Sequence, residues 1–490
     1  MGAEDAGVAD QAASLLGAAA VLAAYRRAGR LPGEAPRTLP EPAEPDRRPA
    51  CSDSAVEVLE LILSGEVPIP GGTALPAGEW LAGAARAGCR VPARLLPRLL
   101  DAGSTAADLQ ADLRAVLGTR GRWLARHHDR WAWAAADPVV PDAAGDDGDD
   151  GDGHEAARRR FASAGRSQRP ALLDALRRAD PALGRDVLGS TWARDPAAER
   201  AGLLAGLAVG LSDDDERFLD AALDDRSGAV RQVAAELLSR LPDSRRSARM
   251  ADRLRPLVAL ADPSSPGGRR AVLAVGRPPE PDAAARRDGI TDAAPAGMGV
   301  AAWRVAQIVA GAPLSFWDGH LGLGPAEVVA RAVEDAPAVL AGLAWAVVAQ
   351  AGRADPAWAR AVFAHRPTPE VLGALPPEPA AQELARVVAE GLAPRPAVAE
   401  LFAACPGPWP AALADAVFDR YRQLGARAAL EVSATLPVLA ARLDPSALPL
   451  VETWLFTLAA EHALRRRVQS LAHALSLRAV IHREFPRDAA

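Results

Sequence analysis

The 490-residue chain carries 56 basic residues against 62 acidic ones, a formal net charge of −6, and every basic residue is arginine: the sequence contains neither lysine nor asparagine. That excludes a Walker A lysine, a Schiff-base lysine and a Ser-x-x-Lys pair, and with them any P-loop ATPase chemistry. The composition is 49% hydrophobic but only 4% aromatic, rich in Ala and Leu and poor in β-branched residues, so it favours helices and predicts an all-α protein.

The chain opens MGAEDAGVAD, acidic where a signal peptide would be basic, and the run Ala12–Ala24 is too short to cross a bilayer. A cytoplasmic location without membrane association is expected. Residues 11–28 read as an Ala/Leu helix stopped by Gly29, and the Pro-rich stretch 31–50 as a solvated connector. Helices are then predicted at Ser52–Ser64, Ala77–Ala87, Pro92–Ala102 and Thr105–Leu117, giving a small N-terminal helical domain over residues 1–136. Its last segment, Arg120–Trp133, is the densest mixture of Arg, His and Trp in the sequence. Arg120, Arg122, Trp123, Arg126, Trp131 and Trp133 form a candidate interaction surface, with guanidinium charge for phosphate or peptide and indole faces for stacking. The plainer reading makes Trp123, Leu124 and Trp131 anchors of a terminal helix and leaves the arginines in water.

Residues 137–154 are acidic and Gly-rich, without the ligand spacing of an EF-hand loop, and read as a linker. Over residues 155–261 Asp-Pro punctuates helices at Asp180-Pro181 and Asp195-Pro196, with Asp as cap and Pro in the first turn. Within this block, Ser212–Leu241 describes two short helices folded back on each other. Val230, Val233, Ala234, Leu237, Leu238 and Leu241 line one face of the second. The L-x-x-A-L-x-D pattern of Leu219–Asp225, followed by V-R-x-x-A at Val230–Ala234, resembles a HEAT repeat. In that family the turn Asp and the following Arg, here Asp225 and Arg231, form hydrogen-bond ladders between stacked units. A thirty-residue shift places Asp195 on Asp225, so the resemblance implies a helical-repeat α-solenoid.

Residues 262–298, rich in Pro, Gly, Ala and Asp, read as a long flexible loop, and residues 299–490 as a C-terminal helical domain. Its amphipathic runs are Val300–Ala310, Ala326–Glu334, Ala338–Gln350, Ala357–Phe363, Ala380–Glu390, Ala411–Leu424 and Leu448–Phe485. His462, His473 and His482 in the last run lack the spacing of metal ligands and read as part of a solvated basic face. Cys51, Cys89 and Cys405 lie far apart without a C-x-x-C pair, which argues against a zinc site or disulfide framework; all three read as buried or incidental thiols. No catalytic motif, cofactor or metal site is found.

Arg120–Leu124 with Trp131 and Trp133, the segment Leu172–Leu260 and the turn Pro313-Leu314-Ser315-Phe316-Trp317 together resemble an uncharacterised bacterial family, a domain of unknown function. Members are encoded beside MoxR-type AAA+ ATPases, von Willebrand A-domain proteins and SWIM zinc-finger proteins, and no catalytic residue comes with the family. The resemblance implies a non-enzymatic scaffold or adaptor for a protein partner, such as an AAA+ ATPase or a von Willebrand A-domain protein. The rival expectation is a HEAT-like nucleic-acid binder or DNA glycosylase using Trp192, Asp195, Arg200 and the Arg120–Trp133 segment. Charge disfavours it: net −8 over residues 1–154 and +2 over the remainder leave neither part strongly basic.

Overall fold

A computed structural model describes residues 41–66, 69–72, 74–135, 150–261, 271–391, 398–459 and 464–486, together with Leu22 and Arg26. Most of the predicted helix 11–28, half of the stretch 31–50 and most of the acidic linker fall outside these residues.

The described chain is all-α apart from one small hairpin. Its N-terminal bundle comprises α1 (Asp53–Ser64), α2 (Ala74–Arg86), α3 (Leu96–Gly103), α4 (Gln110–Arg126) and α5 (Ala132–Ala135). Ser52 caps α1 by accepting from Ala55 N at 3.1 Å, and Gly65 ends it at φ 70°. The Trp80 indole, fully buried, donates to the Ala55 carbonyl at 2.7 Å. The sequence ends the fourth helix at Leu117; the structure carries α4 on to Arg126 through a kink at Gly118, φ 70°. A Cβ at Gly118 would lie 2.2 Å from Asp46 Oδ2, so the kink is where the incoming arm 41–50 docks.

The next core packs α6 (Asp150–Ser163), α7 (Arg169–Ala179), α8 (Pro181–Thr191), α9 (Ala197–Ala205), α10 (Glu216–Ala222) and α11 (Gly228–Ser239). Here α6 starts at Asp150, inside the stretch read as linker. Then come α12 (Arg245–Leu254), the antiparallel hairpin β1 (Val258–Ala261) and β2 (Val272–Val275), and α13 (Ala283–Arg287). Residues 262–298 were expected to be a loop; in their described part they instead hold β2, α13 and the buried Asp288. Asp288 accepts from Arg249 and Arg253 at 2.6–3.1 Å, and its carbonyl accepts from the buried Arg246. These short elements carry too little periodicity to register in sequence.

The third core joins α12 and the hairpin to α14 (Val300–Gly311), α15 (Phe316–Leu321), α16 (Pro325–Asp335), α17 (Pro337–Ala349), α18 (Pro356–His365), α19 (Pro369–Gly373), α20 (Pro377–Ala389), α21 (Val398–Ala404), α22 (Ala411–Leu424), α23 (Ala429–Arg442), α24 (Leu448–Thr457) and the first half of α25 (Arg465–Glu484). Leu448–Phe485, expected as one segment, is thus two helices. The second half of α25 leaves this core and completes the N-terminal one with Leu477, Ile481 and Phe485. The Phe485 ring meets Trp80 edge to face at 5.4 Å. Arg478, in the run expected to carry a solvated basic face, is 2% exposed; it clamps the Glu79 carboxylate at 2.7 and 2.8 Å and donates to the Ala440 and Leu443 carbonyls. The two ends of the chain therefore share one helix.

Candidate interaction surfaces

Asp195, Asp225 and Arg231, expected as a repeat ladder, lie in a run of Arg–Asp contacts whose other members are Arg169 and Arg200. Arg169 grips the Asp195 carboxylate with both terminal nitrogens at 2.8 Å, and the Thr191 hydroxyl donates to the same carboxylate at 2.8 Å. Arg200 donates to the Asp195 carbonyl at 2.6 Å and reaches the Asp225 carboxylate at 2.9 and 3.0 Å. Arg231 donates at 2.8 Å to the Asp225 carbonyl, within its own unit. The chain of contacts runs Arg169, Asp195, Arg200, Asp225, Arg231, so the between-unit step from Asp225 is made by Arg200 and not by Arg231. Burial pushes the Asp195 and Asp225 carboxyls up, but the hydrogen bonds from Arg169 and Thr191, and from Arg200 and Ser227 N, outweigh it and hold both below the usual range. Behind the ladder Arg177 and Asp215 form a pair with no side-chain exposure, in which Arg177 also donates to four backbone carbonyls.

Of the residues of the nucleic-acid reading, the Asp195 carboxylate is thus taken up by Arg169 and Thr191, and Arg200 by the Asp195 carbonyl and the Asp225 carboxylate. Trp192 packs edge to face on Phe218 at 5.0 Å, with Arg200 over its ring at 5.7 Å. The trough beside it, about 840 Å³, mixes Arg158, Arg185 and Arg217 with Asp186 and Asp214.

The Arg120–Trp133 segment divides. Trp133 lies against α3, where a Cβ on Gly103 would fall 2.1 Å from its ring, and Arg114 donates to its carbonyl. The Trp131 indole donates to Asp101 at 3.0 Å. Both tryptophans pack against the N-terminal core together with Leu124, whereas Trp123, also expected as an anchor, is not among the residues packed there. Arg122, Trp123 and Arg126 share one face of α4 with Thr119 and His127 and line an open cleft of about 550 Å³, whose far wall is Glu41–Glu44. The Trp123 indole donates to the Glu41 carbonyl at 2.6 Å, and the Thr119 hydroxyl to that of Glu44 at 2.7 Å. Arg120 does not line this cleft.

A third surface was not foreseen. Between α11 and α17 runs an open groove of about 620 Å³, floored by Ala208, Leu211, Ala310, Trp345, Val348 and Ala349. Trp345 is 41% exposed and Val348 39%, on a helix otherwise deep in the third core. Trp303 holds the Trp345 ring edge to face at 5.5 Å. The rim carries Glu236 and Arg240 on one side, Arg353 and Glu370 on the other, and Arg353 donates to the Leu211 carbonyl at 2.8 Å, joining the two blocks. The only sequence signal was Trp345 itself, in a helix apolar all round, which gives no period from which to read an outer face.

Among the described residues no group of three or more His, Cys, Asp or Glu is placed to hold a metal ion, and no helix is long and apolar enough to cross a membrane. Comparison with curated proteins and with solved structures finds no match. A family model does match, over residues 1–485, and the chain belongs to that family, described as a family of unknown function, DUF5691.

Proposed function

We propose that this chain is a non-enzymatic helical scaffold of the HEAT-like kind that captures a protein partner in the groove between α11 and α17. The observation that carries the reading is the exposed Trp345–Val348 floor framed by charges of both signs. An apolar centre with a polar rim is the anatomy of a protein-binding patch, and a held tryptophan is the residue type most often dominant in one. Each wall presents one Glu and one Arg, so the matching occupant is an amphipathic helix with a narrow apolar face flanked by charges of both signs. The Arg–Asp ladder supports the same reading, because it fixes the repeat block as a rigid wall. The family resemblance points to a MoxR-type AAA+ ATPase or a von Willebrand A-domain protein as the source of that helix.

The test is co-purification of the tagged chain from its native cells at moderate salt. Wild type and an Arg122→Ala/Arg126→Ala variant are expected to recover the same partner, and Trp345→Ser to lose at least about tenfold of it, a hot-spot loss. Recovery of nucleic acid that disappears as salt rises would contradict the reading.

A further inference from the structure

Cys51 and Cys89 are separated by 38 positions but meet in the fold. The arm that precedes α1 and the loop after α2 form a single parallel bridge at Ala50 and Arg90. Cys51 N donates to the Arg90 carbonyl at 3.0 Å, and Arg90 N to the Pro49 carbonyl at 2.9 Å. On the other side, Cys89 follows the left-handed turn at Gly88, φ 63°, and its N donates to the Ala84 carbonyl at 3.1 Å. Both residues are buried in the same core, 7% and 6% exposed, one position to either side of the Ala50–Arg90 bridge. Burial, and then the Cys89 side chain, push the Cys51 thiol far up, so it rests as a neutral thiol. Cys405 sits alone in the third core, its thiol pushed up to about 12 by burial.

We propose that Cys51 and Cys89 are an oxidative modification site, a dithiol that closes to an intramolecular disulfide and fixes the 41–51 arm to the bundle. With a low-molecular-weight disulfide as oxidant, one cysteine loses its proton and attacks RSSR, forming a mixed disulfide and releasing RSH. The second then displaces the remaining RS group as RSH. Two thiols are oxidised, one external disulfide is reduced, and both protons leave with the RSH products. Because both thiols are buried and that of Cys51 rests neutral, the reaction waits on opening of the arm, so it is slow in the folded protein. The arm also supplies Glu41–Glu44, the far wall of the Trp123 cleft. Closing the disulfide therefore locks that wall in place, independently of the groove at Trp345.

The full chain is equilibrated with glutathione disulfide just below its thermal midpoint and mapped by peptide mass spectrometry without reduction. The expected product is a Cys51–Cys89 cross-linked peptide, about 2 Da below the two thiols, with Cys405 alkylated only after denaturation. It brings a rise in thermal midpoint that reductant reverses, as expected for a cross-link closing a long loop. Cys51→Ser and Cys89→Ser should each abolish both signals, and Cys405→Ser neither. Separate glutathione adducts on Cys51 and Cys89, a cross-link to Cys405 or no reaction would overturn the proposal.

Discussion

The second core, with the Arg–Asp contacts through Asp195, Asp215 and Asp225, and the third core around α14 and α17 solve the same packing problem with different chemistry. In the first, arginines cross between helices and end on carboxylates: Arg169 on Asp195, Arg177 on Asp215, Arg200 on Asp225. In the second, helices approach through small residues; a Cβ on Gly342 would fall 2.6 Å from both the Ala306 carbonyl oxygen and Val309 Cβ. Guanidinium suits the first task because its planar fork satisfies a carboxylate bidentately while spare N–H groups take backbone carbonyls. A ladder fixes register by direction, whereas close packing fixes it by shape. The difference teaches that stability in the two blocks should respond to different insults.

The sharpest way to break this contrast is Asp215→Ala, which strands Arg177 without its charge partner. It should cost about 3–5 kcal/mol, read as a shift of the denaturant midpoint. Replacing Arg177 by an apolar residue as well removes the stranded charge but leaves the four carbonyls it serves without that donor, so it should recover only part of the loss. A cost below about 1 kcal/mol for the single change would mean that the pair is not a strut.

Gly342→Val tests the other side of the comparison. The added side chain must displace backbone as well as Val309, so overpacking of about 1–3 kcal/mol or more is expected. Hydrogen exchange should show the loosening in α14 and α17, with the Arg–Asp ladder unchanged.

Acid separates the blocks without mutation. Burial raises the Asp195, Asp215, Asp225 and Asp288 carboxyls, but their arginine hydrogen bonds outweigh it, so each is held below the ordinary value of 3.8. A lowered folded pKa means stability fully present above the unfolded value and lost as pH falls below it toward the folded value. The repeat block should therefore loosen first below about pH 4. Exchange protection in α7–α11 should fall there before protection in α14 and α17.

Smallest of all should be Trp123→Ala beside Trp133→Ala. Trp133 fills the space over Gly103, so its loss should cost about 3 kcal/mol, as a cavity does. Trp123 faces the open cleft and should cost well under half of that. Equal losses in thermal stability would erase the division of the Arg120–Trp133 segment.

Sequence legibility follows the same divide. The Arg–Asp contacts were half readable because Asp195 and Asp225 align under a thirty-residue shift, and so does the helical face through Leu237. Arg169 and Arg177 were not readable, since an arginine on an amphipathic helix looks solvated until its partner is known. The shared last helix was invisible for a different reason. Arg478 meets Glu79 across 399 positions, and α25 offers apolar residues to two cores, which blurs its period. The Cys51–Cys89 contact likewise spans two segments with no spacing rule to join them. Trp345 was hidden by its own helix, where every neighbour is apolar and only packing decides which residue stays outside.

The most direct test of the scaffold account is hydrogen exchange of the chain with its co-purified partner bound. The account predicts new protection in α11 near Glu236–Arg240, in α17 near Trp345–Ala349 and in the turn at Arg353, with residues 119–127 unchanged. Protection confined to residues 119–127 and 41–44, leaving the Trp345 groove exchanging freely, would contradict it.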